Sequence, residues 1–349
     1  MLSSLFDSYE YIVLKKDSND DKQVFGEISE IVSFNDRLII FDNDVANGLF
    51  VYDNSGNFIF SLLNGAGPSE VRGIEDFCID EENNNVLVLD NGNKTIKLFS
   101  LESGEFLNSF PLDHFCQGIA YVGNGNVILS VSEMTAEEIY DGAKLILKNL
   151  DQPGAITIPV FVNESNRYLS FGGGGTKFLK TSSEIYFSQA FGNEIFMFSR
   201  EGGRPLKKLF VDFGANDLRN HAKNITDVES LTKYAAHSNS ARLFGMYNSI
   251  AKNNLIYMVS NQESFNYLLV SKDLNEYIAY KSIENDLYNL PATFLAGYSN
   301  SGEAYTFIDP ETIQFYLDQG FELEEPLREK LGDFDILNSN PVIVRLYNK

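Results

Sequence analysis

The sequence has no tryptophan, only three histidines and two cysteines, and far too few basic side chains to balance its acidic ones. His114, His221 and His237 form no HExxH and no pair four residues apart, which argues against a zinc hydrolase. Cys78 and Cys116 lie 38 residues apart without CxxC spacing, and both border apolar residues. The expectation is two buried thiols, with a disulfide as the alternative. There is no GxSxG, and Gly172–Gly175 lacks the Lys-Ser/Thr that completes a phosphate loop, since Thr176-Lys177 stand in reverse order. No run approaches the ~18 apolar residues of a membrane-spanning helix. With 27 Lys and Arg against 49 Asp and Glu, the formal charge is −22. Such a chain repels phosphate backbones and anionic lipid, so no nucleic acid or membrane surface is expected among its partners. The start, Met1-Leu2-Ser3-Ser4-Leu5-Phe6-Asp7, has neither a basic stretch nor an apolar leader. This fits either a cytoplasmic chain or one whose export leader was removed and Met1 added.

What is present suits an all-β protein. Hydrophobic residues make up 44% and aromatics 13% of the 349 residues, enough to bury a sizeable core and to exclude global disorder. Short apolar runs recur between clusters of Asn, Asp, Gly and Ser. Leu38–Phe41, Leu49–Tyr52 and Phe58–Leu62 are answered by Val86–Leu89, Ile96–Phe99 and Phe106–Phe110. Asp42 to Asp90, Gly56 to Gly104 and Phe58 to Phe106 are each 48 residues apart. Four short strands per ~40–50 residues mark a β-propeller blade. Continued along the chain, the pattern predicts one domain over 1–349, a six-bladed β-propeller of four-stranded antiparallel blades. The blades fall at about 24–63, 73–112, 115–163, 174–214, 242–289 and 293–349, and the N-terminal strand 9–15 supplies the last blade's fourth strand. Closure of this kind removes exposed sheet edges.

The first two blades, with "LIIFD" and "VLVLD" followed by "NGLFVYDNSGNFI" and "NKTIKLFSLESGEFL", resemble the NHL-type repeat. Gly65-Ala66-Gly67-Pro68-Ser69-Glu70 is similar to the G-x-G-P-x-E loop of six-bladed propeller proteins common in Bacteroides and relatives, and Asn340–Val344 is similar to their C-terminal end. The resemblance covers nearly the whole chain and is strongest over 24–112 and 338–349. Members are mostly of unknown function and often carry a lipoprotein leader. The resemblance thus implies a cell-envelope location, periplasmic or surface, with cytoplasmic as the alternative; it implies no reaction.

In an a-b-c-d meander the b–c loops and the crossovers between blades share one face. The longest excursions, 132–143, 163–175, 214–241 and 309–340, are all predicted there, which makes that face the candidate site. Short helices are expected at Thr135–Glu138 and Thr226–Glu229 (capping boxes), after Asp309-Pro310 as far as Gly320, and from Glu325-Pro326 to Gly332. They would either cap apolar surface or form a lid over the channel mouth. Candidate ligand-binding residues are Glu70, Arg72, His114, Gln117, Arg167, His221 and Arg242. No catalytic residue is assigned, and no cofactor is expected. Asp42 and Asp90 end equivalent strands and fit Asx turns. Calcium is the one cofactor with any pattern, around Asp42 and Asp44 or Asp17 and Asp21, and both loops depart from the EF-hand. Three functions remain: a non-enzymatic binding propeller, expected as a monomer, for a protein, peptide or small molecule; a lyase, lactonase or glycan-active enzyme using channel-mouth carboxylates and a His; and a subunit whose propeller is only a scaffold.

Overall fold

A computed structural model of the chain describes residues 1–15, 25–67, 69–161, 177–188, 192–217, 220, 224, 226–227, 229–230, 233, 242–243, 248–251, 253–260, 265–290, 295–332 and 339–348. These residues build mainly β structure, in successive four-stranded antiparallel meanders of propeller-like type. They divide into two compact units, one of Met1–Asn64, Tyr247–Ile256 and Ile283–Lys349, the other of Gly65–Met246 and Tyr257–Ser282.

In the first unit the opening meander runs Glu30–Phe34, Arg37–Asp42, Gly48–Asp53 and Phe58–Leu62. Its two central strands are apolar at nearly every position and buried on both faces. A continuous run of that kind suits a strand packed from both sides. The hairpin after Asp53 closes because its carboxylate accepts from Ser55 N at 2.8 Å and Asn57 N at 2.9 Å, while Gly56 takes φ 80°. Gly104 repeats the turn with φ 73°.

The last meander of this unit has Gly297–Ser299, Ala304–Ile308 and Val342–Asn348. Its fourth strand comes from the other end of the chain: Phe6–Val13 pairs antiparallel with Val342–Asn348, from Phe6 opposite Asn348 to Val13 opposite Val342. The strand starts three residues earlier than position 9 and stops before 15. One feature departs from separate blades. Ile31–Ser33 pairs in parallel with Gly297–Ser299, so the opening and closing meanders join in one eight-stranded sheet. Gly297 is what the join requires, because a Cβ there would lie 2.2 Å from Ile31 O.

The excursion between Ile308 and Val342 contains helices Pro310–Asp318 and Glu325–Leu331, begun by Asp309 and Glu324 and followed by Gly320 and Gly332 with φ 80° and 56°. The second helix is not a lid over a channel mouth. It packs along Phe6–Val13, the edge strand of the sheet. Lys330 Nζ donates to Tyr11 O at 2.6 Å, and Glu324 Oε2 accepts from the hydroxyls of Tyr9 (2.6 Å) and Tyr11 (3.0 Å). An uncovered edge offers unpaired backbone groups to other chains, and this helix masks it.

In the second unit, three meanders are complete: Ile74–Asp80 to Phe106–Pro111, Cys116–Tyr121 to Ile156–Phe161, and Lys177–Lys180 to Pro205–Phe210. Phe265–Ser271 and Tyr277–Tyr280 belong to a further sheet, in which Arg242–Leu243 pairs with Val259 and Ser260. The core lies between neighbouring meanders. Cys78, Leu87 and Leu89 pack with Ile119, Tyr121 and Leu129, and Ile128 and Leu145 pack with Phe178, Phe187 and Phe198. Each such side chain contributes about 1.5–3 kcal/mol when fully buried. The outer strands Phe106–Pro111 and Pro205–Phe210 are largely exposed.

Two helix starts are displaced from their expected positions. Glu133–Ile139 begins at Ser132, whose hydroxyl accepts from Thr135 N at 3.2 Å, so Thr135 is the third helical residue and not the cap. Farther along, Asp227 Oδ1 accepts from Ser230 N at 2.7 Å and Ser230 Oγ from Asp227 N at 3.0 Å, one residue beyond the Thr226–Glu229 pair. In both cases a Ser or Asp, each a stronger cap than Thr, stood nearby.

Gly297→Ala should cost about 2–4 kcal/mol in chemical denaturation, because the added methyl meets backbone and not a yielding side chain. Gly154→Ala, where φ is 85° and nothing lies within 4 Å, is the control. It should cost only the ~1 kcal/mol of left-handed backbone.

Candidate functional site

The second unit holds four of the seven expected ligand-binding residues, in two separate places and without convergence. The first is the loop Gly65–Gly73. Glu70 turns back into its own loop, where its carboxylate accepts from Gly67 N and packs where a Cβ on Gly65 would stand. Its backbone oxygen accepts from Lys97 Nζ. Arg72 is exposed, and its backbone N donates to Asp90 Oδ1 at 3.2 Å. Glu70 and Arg72 form no ion pair with each other. The charged pair that holds this place is Lys97 and Asp90, 3.3 Å apart, with side chains 3% and 0% exposed. Asp90 also accepts from Asn93 N at 3.2 Å and Asn93 Nδ2 at 2.7 Å.

The equivalent aspartate in the first unit is used in the same way. Asp42 is fully buried and accepts from Gly26 N, Glu27 N, Asp44 N and Val45 N at 2.8–3.1 Å. Both its oxygens are committed to backbone amides, an arrangement that serves a turn and leaves little for a cation. Asp44 is exposed beside it. Among the described residues no group of three or more His, Cys, Asp or Glu could hold a metal ion. Asp17 and Asp21 lie outside the described residues.

The second place is the entry to Cys116–Tyr121. His114 is half-buried, with Nε2 3.4 Å from Tyr140 Oη and the two rings edge to face at 5.2 Å. Burial, with Lys148 and Lys94 nearby, lowers its pKa against an opposing pull from Asp113. Gln117 Oε1 accepts from Lys144 Nζ at 3.4 Å, and Lys144 is fully buried. Beneath them Asn91 clasps two meanders: its Nδ2 donates to Glu75 Oε2 (3.1 Å) and Cys116 O (2.8 Å), and its Oδ1 accepts from Cys116 N (3.3 Å). Burial raises the Glu75 pKa. Cys78 and Cys116 are free and buried, and burial pushes both thiols up to about 12. Such thiols stay protonated and unreactive at neutral pH. Arg167 and His221 lie outside the described residues. Arg242 has a described backbone in Arg242–Leu243 and no described side chain.

Glu75, Asn91, Tyr140 and Lys144 were not singled out by sequence. Asn91 follows Asp90 in the repeated turn, and that position was the available signal. At the opposite end of the same unit is a cavity of about 470 Å³, lined by Glu81, Glu82, Tyr121, Ser183, Arg200 and neighbours, and by none of the expected residues. Arg200 pairs there with Glu81, and Tyr121 Oη donates to Glu82 Oε2 at 2.7 Å.

Residues 1–347 match the model of a family described as a domain of unknown function, DUF4934. The chain belongs to this family. No curated protein matches the sequence. Among solved structures, a protein of Bacteroides fragilis described as exported is 15% identical, with 99% of this chain and 96% of that one covered at a TM-score of 0.78. A member of the DUF4221 family from Bacteroides vulgatus is 11% identical, with 99% and 98% covered at a TM-score of 0.55. At these identities the likeness is one of fold. Among the described residues no helix is long and apolar enough to cross a membrane.

Two measurements test this geometry. Lys97→Met leaves the buried Asp90 carboxylate without its cation and should cost about 3 kcal/mol in urea unfolding; adding Asp90→Asn should recover part of the loss. For Glu75 the folded pKa is raised, so the native state binds the proton more tightly than the unfolded one. Its contribution to stability is therefore greatest at low pH. It declines as pH rises from the unfolded value near ~4.3 through the folded one. Glu75→Gln should raise the melting midpoint at pH 7, and the gain should vanish below about pH 4.

Proposed function

We propose that this chain is a six-bladed, NHL-like propeller acting as a non-enzymatic binding protein of the bacterial cell envelope, with a protein or peptide ligand at the face carrying the inter-blade crossovers. Six sets of strands, one completed by the N-terminal strand, support the blade count. The fold likeness to a Bacteroides protein described as exported supports the location.

The observation that carries the binding reading is what the crossover end of the second unit exposes. Phe115 and Ile139 are 54% and 56% exposed, and they are the chain neighbours of the paired His114 and Tyr140. Lys94 Nζ stands 4.8 Å from the Phe115 ring centroid. An exposed aromatic, an exposed aliphatic and a half-buried imidazole are what a peptide contact uses. The enzyme reading needed a convergent carboxylate, and Glu70 is committed to its own loop.

Both features can be tested in cells and in solution. The protein expressed in its native host should fractionate with the envelope. Ligands captured by in-cell cross-linking from position 138 should be lost with Phe115→Ser and Ile139→Ser, which should move the melting midpoint by less than 2 °C because both side chains are exposed. A ligand retained by this double variant, or a small-molecule turnover abolished by His114→Ala, would overturn the reading.

A further inference from the structure

A second surface, in the first unit, has the composition of a docking site for a cationic segment. Helix Pro310–Asp318 buries Pro310 and Ile313, while Phe315, Leu317 and the following Phe321 are 60%, 39% and 58% exposed. The rings form a run: Phe315 to Tyr316 is 6.4 Å between centroids, and Tyr316 to Phe321 is 5.2 Å. Tyr316 also forms one wall of a cleft of about 590 Å³ whose remaining lining is Glu284–Leu290.

Two polar side chains of that cleft are held by the chain itself. Asn285 Oδ1 accepts from Leu287 N (3.0 Å) and Tyr288 N (3.4 Å), its Nδ2 donates to Tyr288 O (2.9 Å), and Asp286 accepts from Ser3 N at 2.8 Å. Charge is the property that singles this surface out. Residues 309–325 contain six acidic side chains, Asp309, Glu311, Asp318, Glu322, Glu324 and Glu325, and no Lys or Arg. Elsewhere in this chain rings carry a cation: Lys94 lies 4.8 Å from Phe115, Lys208 5.6 Å from Phe196 and Arg345 5.7 Å from Tyr305. Among the described residues none lies over Phe315, Tyr316 or Phe321.

We propose that the Phe315–Tyr316–Phe321 run and the adjoining acidic cleft dock a partner protein through a segment that alternates basic and apolar side chains. Arg or Lys would lie over the open rings, the acidic rim would attract the segment, and apolar side chains would cover Leu317. None of its residues is shared with the Phe115–Ile139 patch, so either site can fail without the other.

The probe is a fluorescent 15-residue peptide of alternating leucine and arginine, with leucine–glutamate and leucine–serine peptides as controls, followed by anisotropy at low and moderate salt. The wild-type chain should bind the arginine peptide, more weakly at higher salt. Phe315→Ala with Phe321→Ala should weaken binding about tenfold without moving the melting midpoint. Glu311→Gln with Glu322→Gln should weaken it more than Glu102→Gln with Glu105→Gln, which removes the same charge from the other unit. Equal loss from the two glutamine pairs would reduce the effect to net charge and overturn the proposal. So would an unchanged affinity in the alanine pair, equal binding of the serine peptide, or displacement of the arginine peptide by a neutral oligosaccharide such as maltoheptaose. Phe115→Ser with Ile139→Ser should leave this binding intact.

Discussion

Asp42 and Asp90 have no exposed surface, and a carboxylate in that position is stable only if donors converge on it. Each receives amides from two directions: from the turn that follows it, and from the segment entering the same meander, Gly26 and Glu27 in one case and Arg72 in the other. The ladder hydrogen bonds hold strands to strands; these bonds hold the loops to the strands. Were either aspartate lost, the entering segment and the turn would each be left with amides to satisfy, at ~1–3 kcal/mol for each that stays buried. Asp90 accepts fewer amides than Asp42 and takes the Lys97 ammonium as well. The same geometric task is met by backbone dipoles in one repeat and partly by a cation in the other.

The second constraint is the sheet edge. In the first unit the parallel pairing of Ile31–Ser33 with Gly297–Ser299 removes two edges at once, at the cost of requiring glycine where the chains approach. Of the two edges that remain, Phe58–Leu62 and Phe6–Val13, the second is occupied by Glu324 and Lys330 from the excursion helix. The tyrosines on that strand meet Tyr288 as well, with ring centroids 5.3 Å from Tyr9 and 6.1 Å from Tyr11. Residues 324–331 are thus read first as edge cover.

Strand order and turns were legible in the sequence because they are local. Apolar runs, the 48-residue spacing and the glycines at 56 and 104 all report on nearest neighbours in the chain. The N-terminal strand's partner was also legible, since a three-stranded last blade leaves an edge that needs closing. The direction of the excursion was not, because topology says which end a loop leaves from and not where it travels. Nor was Glu70's orientation. A glycine-rich loop can aim a carboxylate outward or fold it onto its own amides, and the choice rests on the room that the missing Cβ of Gly65 leaves for the Glu70 carboxylate, which no pattern of residue types records. The clasp of Asn91 on Cys116 joins residues 25 apart in different meanders, a relation visible only after packing.

These placements bear on how an acidic protein of this fold can recognise anything. The carboxylates singled out in sequence, Glu70, Asp42 and Asp90, are consumed in holding loops, the last together with Lys97. What remains outside is aromatic and aliphatic surface at Phe115, Ile139, Phe315 and Phe321, set against a net charge of −22. Apolar area supplies the short-range attraction and the surrounding negative field selects which partners approach. Surfaces of that composition favour basic over acidic partners, and they discriminate more sharply at low ionic strength, since a Debye length of about 10 Å at 0.1 M salt spans only part of such a patch.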